Sequence, residues 1–176
     1  FAEYPASEQG LLDLHMAVTK RADLVPYVVL SGKTGKAVGT MSFMNFNLNN
    51  GDIEIGSINL SHQLKKTAMS TEAIFLMISR ALDDLGYRRV VWKCDALNAA
   101  SRRAALRYGF TFEGIHRQHM VVKGRSRDTS WYSIIDSEWP ERRSAYTSWL
   151  DAANFDQNGE QRKRLSDLMP ASVTPF

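Results

Sequence analysis

Three features of this 176-residue sequence predict a mixed α/β (α+β) domain built mostly on antiparallel strands. An alternating apolar segment at residues 52–60 lies between turn signals, a helical apolar period runs through residues 67–85, and the later part alternates strand-type runs with a short helix before a closing hairpin. The order is antiparallel strands, then strand, turn, long helix, strand, helix and hairpin.

Residues 7–21 carry Leu11, Leu12, Leu14, His15 and Val18 at the spacing of a weakly amphipathic helix. The apolar run 27–30, the turn at Gly32 to Gly35 and the segment 37–43 form a hairpin pattern, and Asn49-Asn50-Gly51 marks the next turn. In 52–60 the apolar residues Ile53, Ile55, Ile58 and Leu60 change phase around Gly56-Ser57, the sequence sign of a β-bulge. Ile74, Met77, Ile78, Ala81, Leu82 and Leu85 define one buried face of the long helix, and Gly86 stops it. Residues 89–94 form a buried-type strand. Asn98 caps a helix over 99–108 that Gly109 closes. Residues 110–115, 120–122 and 130–135 are expected strands, with KGRSRD as the turn joining the last two. Pro140 suits the first position of a further helix reaching Trp149 and Leu150, and the polar tail after Asn158-Gly159 suggests a loosely held short helix.

Composition narrows the functional classes. At 44% hydrophobic and 23% charged, the chain can bury a sizeable core. No uncharged apolar run approaches the roughly 20 residues of a membrane span, and no signal peptide pattern opens the chain, which points to a cytosolic protein without a membrane partner. The lone Cys94 offers neither an internal disulfide nor a thiolate metal site, so no metal is expected. A net charge of +3 is a mild basic bias. Its densest stretch, Arg117 to Arg127 with Lys123 and Arg125, is compatible with a solvated turn or with a modest polyanionic ligand.

The turn QLKKTAMSTEA carries the first chemical signal. A strand entering a tight turn and then a helix aims the helix's first backbone N–H groups at one point, where the helix dipole adds positive character. Small residues there let a nucleotide-linked diphosphate approach. Lys65 and Lys66 add charge, and Thr67, Ser70 and Thr71 add hydroxyls. An ordinary capped helix with a solvated lysine pair is the alternative. The glycines of the Walker and dinucleotide fingerprints are missing, which disfavours those ligands.

The slipped strand, this turn, the long helix, the run VVWKCDALNAASRRAALRYGFTFEG and the final hairpin together resemble the GNAT acetyltransferase superfamily, most closely its RimJ/RimL-like branch, over residues 27–140. In that family the turn has the form Gln/Arg-x-x-Gly-x-Gly/Ala and binds the pyrophosphate of acetyl-CoA. Gln63 and Ala68 match its ends, while Lys66 stands at the usual middle glycine. Asn98-x-x-Ser101, leading to Tyr108-Gly109-Phe110 and Glu113-Gly114, is the more specific element. The resemblance implies a twisted sheet with a V-shaped cleft between central strands. It implies acetyl-CoA as co-substrate, a primary amine such as a protein N-terminus or small amine as acceptor, and an additional strand and helix before the second helix, near which this chain opens.

The same resemblance assigns roles. Pantetheine would pair with the bulged strand's edge at Ile58 and Leu60, the diphosphate would lie over Gln63 and Lys65 to Thr71 with Ala68 and Met69, and Asn98, Ser101, Arg103 and Arg107 would complete the CoA contacts. A bulge N–H, with Asn59 as nearest donor, would stabilise an oxyanion by roughly 3 kcal/mol. An α-amine of pKa about 8 needs little help to lose its proton, whereas a lysine amine of about 10.4 needs a base. Glu54 is the candidate, with Asp52 and His62 weaker; the alternative for Glu54 is a carboxylate paired across the sheet. Many relatives place a tyrosine where this chain has Ala105, so Ser101 becomes the candidate proton donor to the leaving thiolate, and Tyr108 is read as packing. The expected division is an acetyltransferase domain at 1–140 with a helical extension at 141–176 packed on it, and homodimerisation through the last strands or the tail is compatible with the pattern. An inactive CoA-binding module and a basic nucleic-acid-binding domain are the rival readings.

Overall fold

The computed structural model describes residues 7–171. The expected division at residue 140 therefore includes residues 1–6 and 172–176, which lie outside the described residues. Among the described residues six strands form one sheet in the order β1-β2-β3-β4-β6-β5. They are β1 (Leu24–Leu30), β2 (Ala37–Asn47), β3 (Asp52–Leu60), β4 (Arg89–Asp95), β5 (Thr111–Val122) and β6 (Arg125–Ile135). Every neighbouring pair is antiparallel except β3 with β4. That parallel pair requires a crossover, supplied by α2 (Ala68–Ser79), whose last turn widens into a π-helix at Arg80–Asp84. The other helices are α1 (Glu8–Thr19), α3 (Ala99–Arg107), α4 (Trp139–Leu150) and the short α5 (Leu165–Leu168).

The two faces of the central strands differ in kind. Ile53 and Ile55 of β3 and Trp92 and Cys94 of β4 turn toward the helices, where they share one core with Ile74 and Ile78 of α2 and Tyr146 and Trp149 of α4. The strand period of two places Glu54 and Lys93 on the opposite face. The segment beyond residue 140 packs into the same core through Tyr146, Trp149 and Leu165. It also holds the end of α3. The buried Arg142 donates to the carbonyl of Gly109 at 2.7 Å and to Thr111, and pairs with Glu138 at 2.9 Å. Tyr146 donates to the carbonyl of Tyr108 at 2.8 Å. Gly109 has φ +83, and a Cβ there would meet Met169 Sδ at 2.9 Å, which explains glycine at the helix stop.

The most secure helix of the sequence reading stands from Ala68 through the π-turn, as its apolar period predicts. Three expectations change. Residues 110–115 and 120–122 belong to one strand, β5, interrupted where Arg117, Gln118 and His119 oppose only Asp128. The turn after β5 is just Lys123-Gly124, both with positive φ, so most of KGRSRD lies in β6. β2 runs to Asn47, four residues beyond the expected end, because it bulges at Asn45 rather than stopping. Of the basic stretch Arg127 is buried, while Arg117, Lys123 and Arg125 are exposed, Arg125 lying 4.0 Å from Asp95.

Arg142→Leu is expected to lower unfolding stability by roughly 3 kcal/mol, because the carbonyl of Gly109 and the carboxylate of Glu138 lose their cationic donor. Urea unfolding measures it, and an unchanged midpoint would contradict the clamp.

Candidate active site

β3 and β4 pair only at Asp52↔Arg89, Ile53↔Val90 and Glu54↔Val91, although β3 continues to Leu60 and β4 to Asp95. Beyond Glu54 the strands part and leave a V-shaped cleft. The cause lies in β3, where Ser57 and Ile58 together oppose Met41 of β2, and Ser57 adopts φ +50. An extra residue bends its strand and increases local twist, so β3 turns away from β4. This is the phase slip seen in the sequence at Gly56-Ser57. Asn59 is already back in register with Thr40, so the bulge lies at Ser57 and Ile58, one residue before the expected donor.

β3 then runs into the lysine-rich turn. Leu64 is fully buried and anchors it, while Gln63, Lys65, Lys66 and Ala68 are exposed. Lys66 has φ +61, the left-handed conformation that glycine adopts without penalty. Thr67 caps α2 by accepting from the N–H of Ser70 and donates to the carbonyl of Leu64 at 2.7 Å. By helix geometry the N–H groups of Ala68 and Met69 have no intrahelical acceptor and face out of this end. All three expected hydroxyls are engaged within the protein, Thr67 in this cap. Ser70 is buried and donates to the carbonyl of Thr67, and Thr71 is buried and accepts from Arg107 at 3.0 Å. Arg107 also lies over the rings of Tyr108 and Trp149, so it ties α3 and α4 to the first turn of α2 and adds positive charge beside the cradle. Arg103 is exposed on α3, and His62 is exposed in the turn.

The other wall of the cleft is β4 with the start of α3. Asn98 caps α3 by accepting from the N–H of Ser101 at 3.0 Å. Ser101 Oγ accepts from the indole N–H of Trp92 at 3.0 Å, which places the hydroxyl against the part of β4 that has left β3, beside Cys94. Burial pushes the neighbouring Cys94 thiol up from its ordinary pKa, the Ser101 hydrogen bond opposing only in part. Tyr108 packs against Trp92 and Ala105 is fully buried in the core.

On the opposite face, at the apex of the cleft, Glu54 is only 7% exposed. Its Oε2 accepts from Asn45 Nδ2 at 2.6 Å and pairs with Lys93 Nζ at 2.6 Å. The Lys93 ammonium lies 4.4 Å from the centroid of Trp131, whose ring meets His116. Asp52 lies two residues earlier on β3, opposite Arg89. Asn45, Lys93 and Trp131 were missed in the sequence. The available signal was a lysine placed mid-strand in VVWKC and an asparagine breaking the alternation of MSFMNFN.

Residues 5–111, more than half of the chain, match the acetyltransferase (GNAT) domain, and the chain belongs to that family of acyltransferases. A GCN5-related N-acetyltransferase from Brucella melitensis is 44% identical in a structure that superposes with TM-score 0.91, over 93% of this chain and 74% of that one. "Uncharacterized N-acetyltransferase YoaA" of Bacillus subtilis is 30% identical over 102 residues, which span 58% of this chain and only 57% of that protein. "Putative ribosomal N-acetyltransferase YdaF" of the same organism is 29% identical over 150 residues, 79% of this chain and 76% of that protein, in agreement with the resemblance to the RimJ/RimL-like branch. Among the described residues no helix is long and apolar enough to cross a membrane.

Lys66→Gly is expected to raise stability by about 0.5–1 kcal/mol, since relief of the left-handed backbone outweighs glycine's greater unfolded freedom. A lower melting temperature for this variant would show that the lysine conformation is unstrained.

Proposed function

We propose that this enzyme transfers the acetyl group of acetyl-CoA to a primary amine by direct attack within a ternary complex. The observation that carries this reading is the parting of β3 from β4 after Glu54, with an anion cradle on one side of the opening and a buried carboxylate on the other. The residues fit CoA: exposed lysines, outward N–H groups and a left-handed turn form a positive helix end for a diphosphate. Bound acetyl-CoA would supply an acyl thioester, and the remaining chemistry belongs to this chain.

On the donor side, Gln63, Lys65, Lys66 and the N–H groups of Ala68 and Met69 hold the diphosphate, with Thr67 capping the helix start beside them. Ser70 and Thr71 shape the helix start instead of touching the ligand, and Arg107 reinforces its charge through Thr71. Arg103 and Asn98 lie on the α3 side of the same opening. The exposed edge of β3 at Ile58 and Leu60 offers backbone pairing to an extended amide-bearing arm, as an added strand would. N–H groups of the Ser57-Ile58 bulge, rather than Asn59, supply the donor for the charge that develops on the acyl oxygen. On the acceptor side Glu54 takes the amine proton, and Ser101 offers its O–H to the leaving thiolate. Cys94 is buried and held as a neutral thiol, which argues against a covalent acyl-cysteine relay.

Thiol release from acetyl-CoA over a panel of primary amines tests transfer. The expected result is acceptor-dependent release; binding of CoA without release from any amine would mark an inactive module. Reversing charge with Lys65→Glu and Lys66→Glu together is expected to weaken CoA binding by at least tenfold with a nearly unchanged melting temperature. Unaltered affinity would displace the cradle. With an alkylamine of high pKa, Glu54→Gln is expected to lower kcat by about 10²- to 10⁴-fold at unchanged CoA affinity. Normal turnover by the folded variant would remove Glu54 as base.

A further inference from the structure

Glu54 presents its two oxygens to different surroundings. Oε2 is taken by Asn45 and Lys93, each at 2.6 Å. Oε1 faces the bulge, because a Cβ built on Gly56 would lie 3.2 Å from it. The backbone is arranged for this. β2 carries its own bulge, where Asn45 and Phe46 oppose Ile53, and Asn45 is held at φ +50. Left-handed backbone costs most residues about 1–2 kcal/mol, and asparagine is among the few that adopt it readily. Its consequence here is an amide aimed at one carboxylate oxygen. Lys93 is fixed in turn, with a side chain only 19% exposed and its ammonium against the Trp131 ring.

We infer that Asn45 and Lys93 are positioning residues that lock Oε2 of Glu54, leaving Oε1 as the single oxygen that receives the acceptor's proton beside the bulge. This rests on the assignment of Glu54 as base. A carboxylate free to rotate would present either oxygen and sample poses facing away from Gly56; two charge-assisted or neutral donors on one oxygen remove that freedom before the amine arrives. Asn45 and Met44 face Glu54 from β2 and Lys93 from β4; Asp52 and Arg89 pair two residues earlier; Trp131 of β6 lies against Lys93, and His116 and His119 of β5 pack on that ring. Of these only Lys93 brings a cation to the carboxylate.

The test uses Asn45→Gly, because glycine accepts the left-handed backbone while deleting the donor. The variant is expected to melt at or above the wild-type temperature yet to lose about tenfold in kcat, with the fastest alkylamine of the panel, at unchanged KM for acetyl-CoA. Lys93→Met should lose at least as much, and Lys93→Arg should recover most of it. In a Glu54→Gln background neither Asn45→Gly nor Lys93→Met should reduce kcat further. Without any ligand, the 15N-resolved ammonium signal of Lys93 should exchange slowly with water and lose that protection in Glu54→Gln. Wild-type kcat in Asn45→Gly and Lys93→Met beside a slow Glu54→Gln would overturn the positioning role and leave the base standing. Equal losses with and without Glu54 would overturn it as well, as would a Lys93 signal exchanging like an exposed lysine. Normal turnover by Glu54→Gln, or no release with any amine, would overturn the base or transfer reading and this inference with it.

Discussion

The architecture of the site depends on where one parallel pairing stops. Strands that continue side by side normally continue to share hydrogen bonds, because an unpaired backbone group shielded from water costs free energy. β3 and β4 give up that pairing after Glu54 and Val91, and the bulge at Ser57-Ile58 enforces the separation from within β3. The open backbone edges are then available to solvent or to an extended ligand. The same departure delivers β3 into the turn that starts α2, so the cleft and the lysine-rich helix start are consequences of one bend in the chain.

Backbone strain is concentrated around this bend without being exclusive to it. Asn45, Ser57 and Lys66 all hold positive φ, and they flank Glu54, open the cleft and shape the cradle respectively. Gln118 and Lys123 adopt the same conformation in the β5 bulge and its hairpin. What separates the two groups is what the strained residue presents. Asn45 offers an amide to a buried carboxylate, and Lys66 precedes a helix end with outward N–H groups. The rest of the fold keeps these positions fixed. Arg142 and Tyr146 of α4 bind the carbonyls that end α3, and Arg107 joins α3 to the first turn of α2.

Much of this was legible in the sequence because it is local. The period of α2, the cap at Asn98, the stop at Gly109 and the slip at Gly56-Ser57 each reflect a preference of a few consecutive residues. What escaped is what depends on strands far apart in the chain. Asn45, Glu54 and Lys93 meet only because β2, β3 and β4 are neighbours, and no local pattern ties Asn45 to Lys93. The division of the cradle's hydroxyls was hidden for the same reason: Thr71 is occupied by Arg107, thirty-six positions away. The interruption of β5 misled because three residues between His116 and Met120 look like a turn, while the ladder to β6 resumes beyond them.

Amide hydrogen exchange of the protein with and without saturating CoA tests the central claim most directly. If the parted edge of β3 and the start of α2 form the donor site, CoA should slow exchange at Ile58, Leu60, Ala68 and Met69, while the already paired Ile53 and Ile55 change little. Protection confined to other segments, with these four amides exchanging as in the free protein, would contradict it.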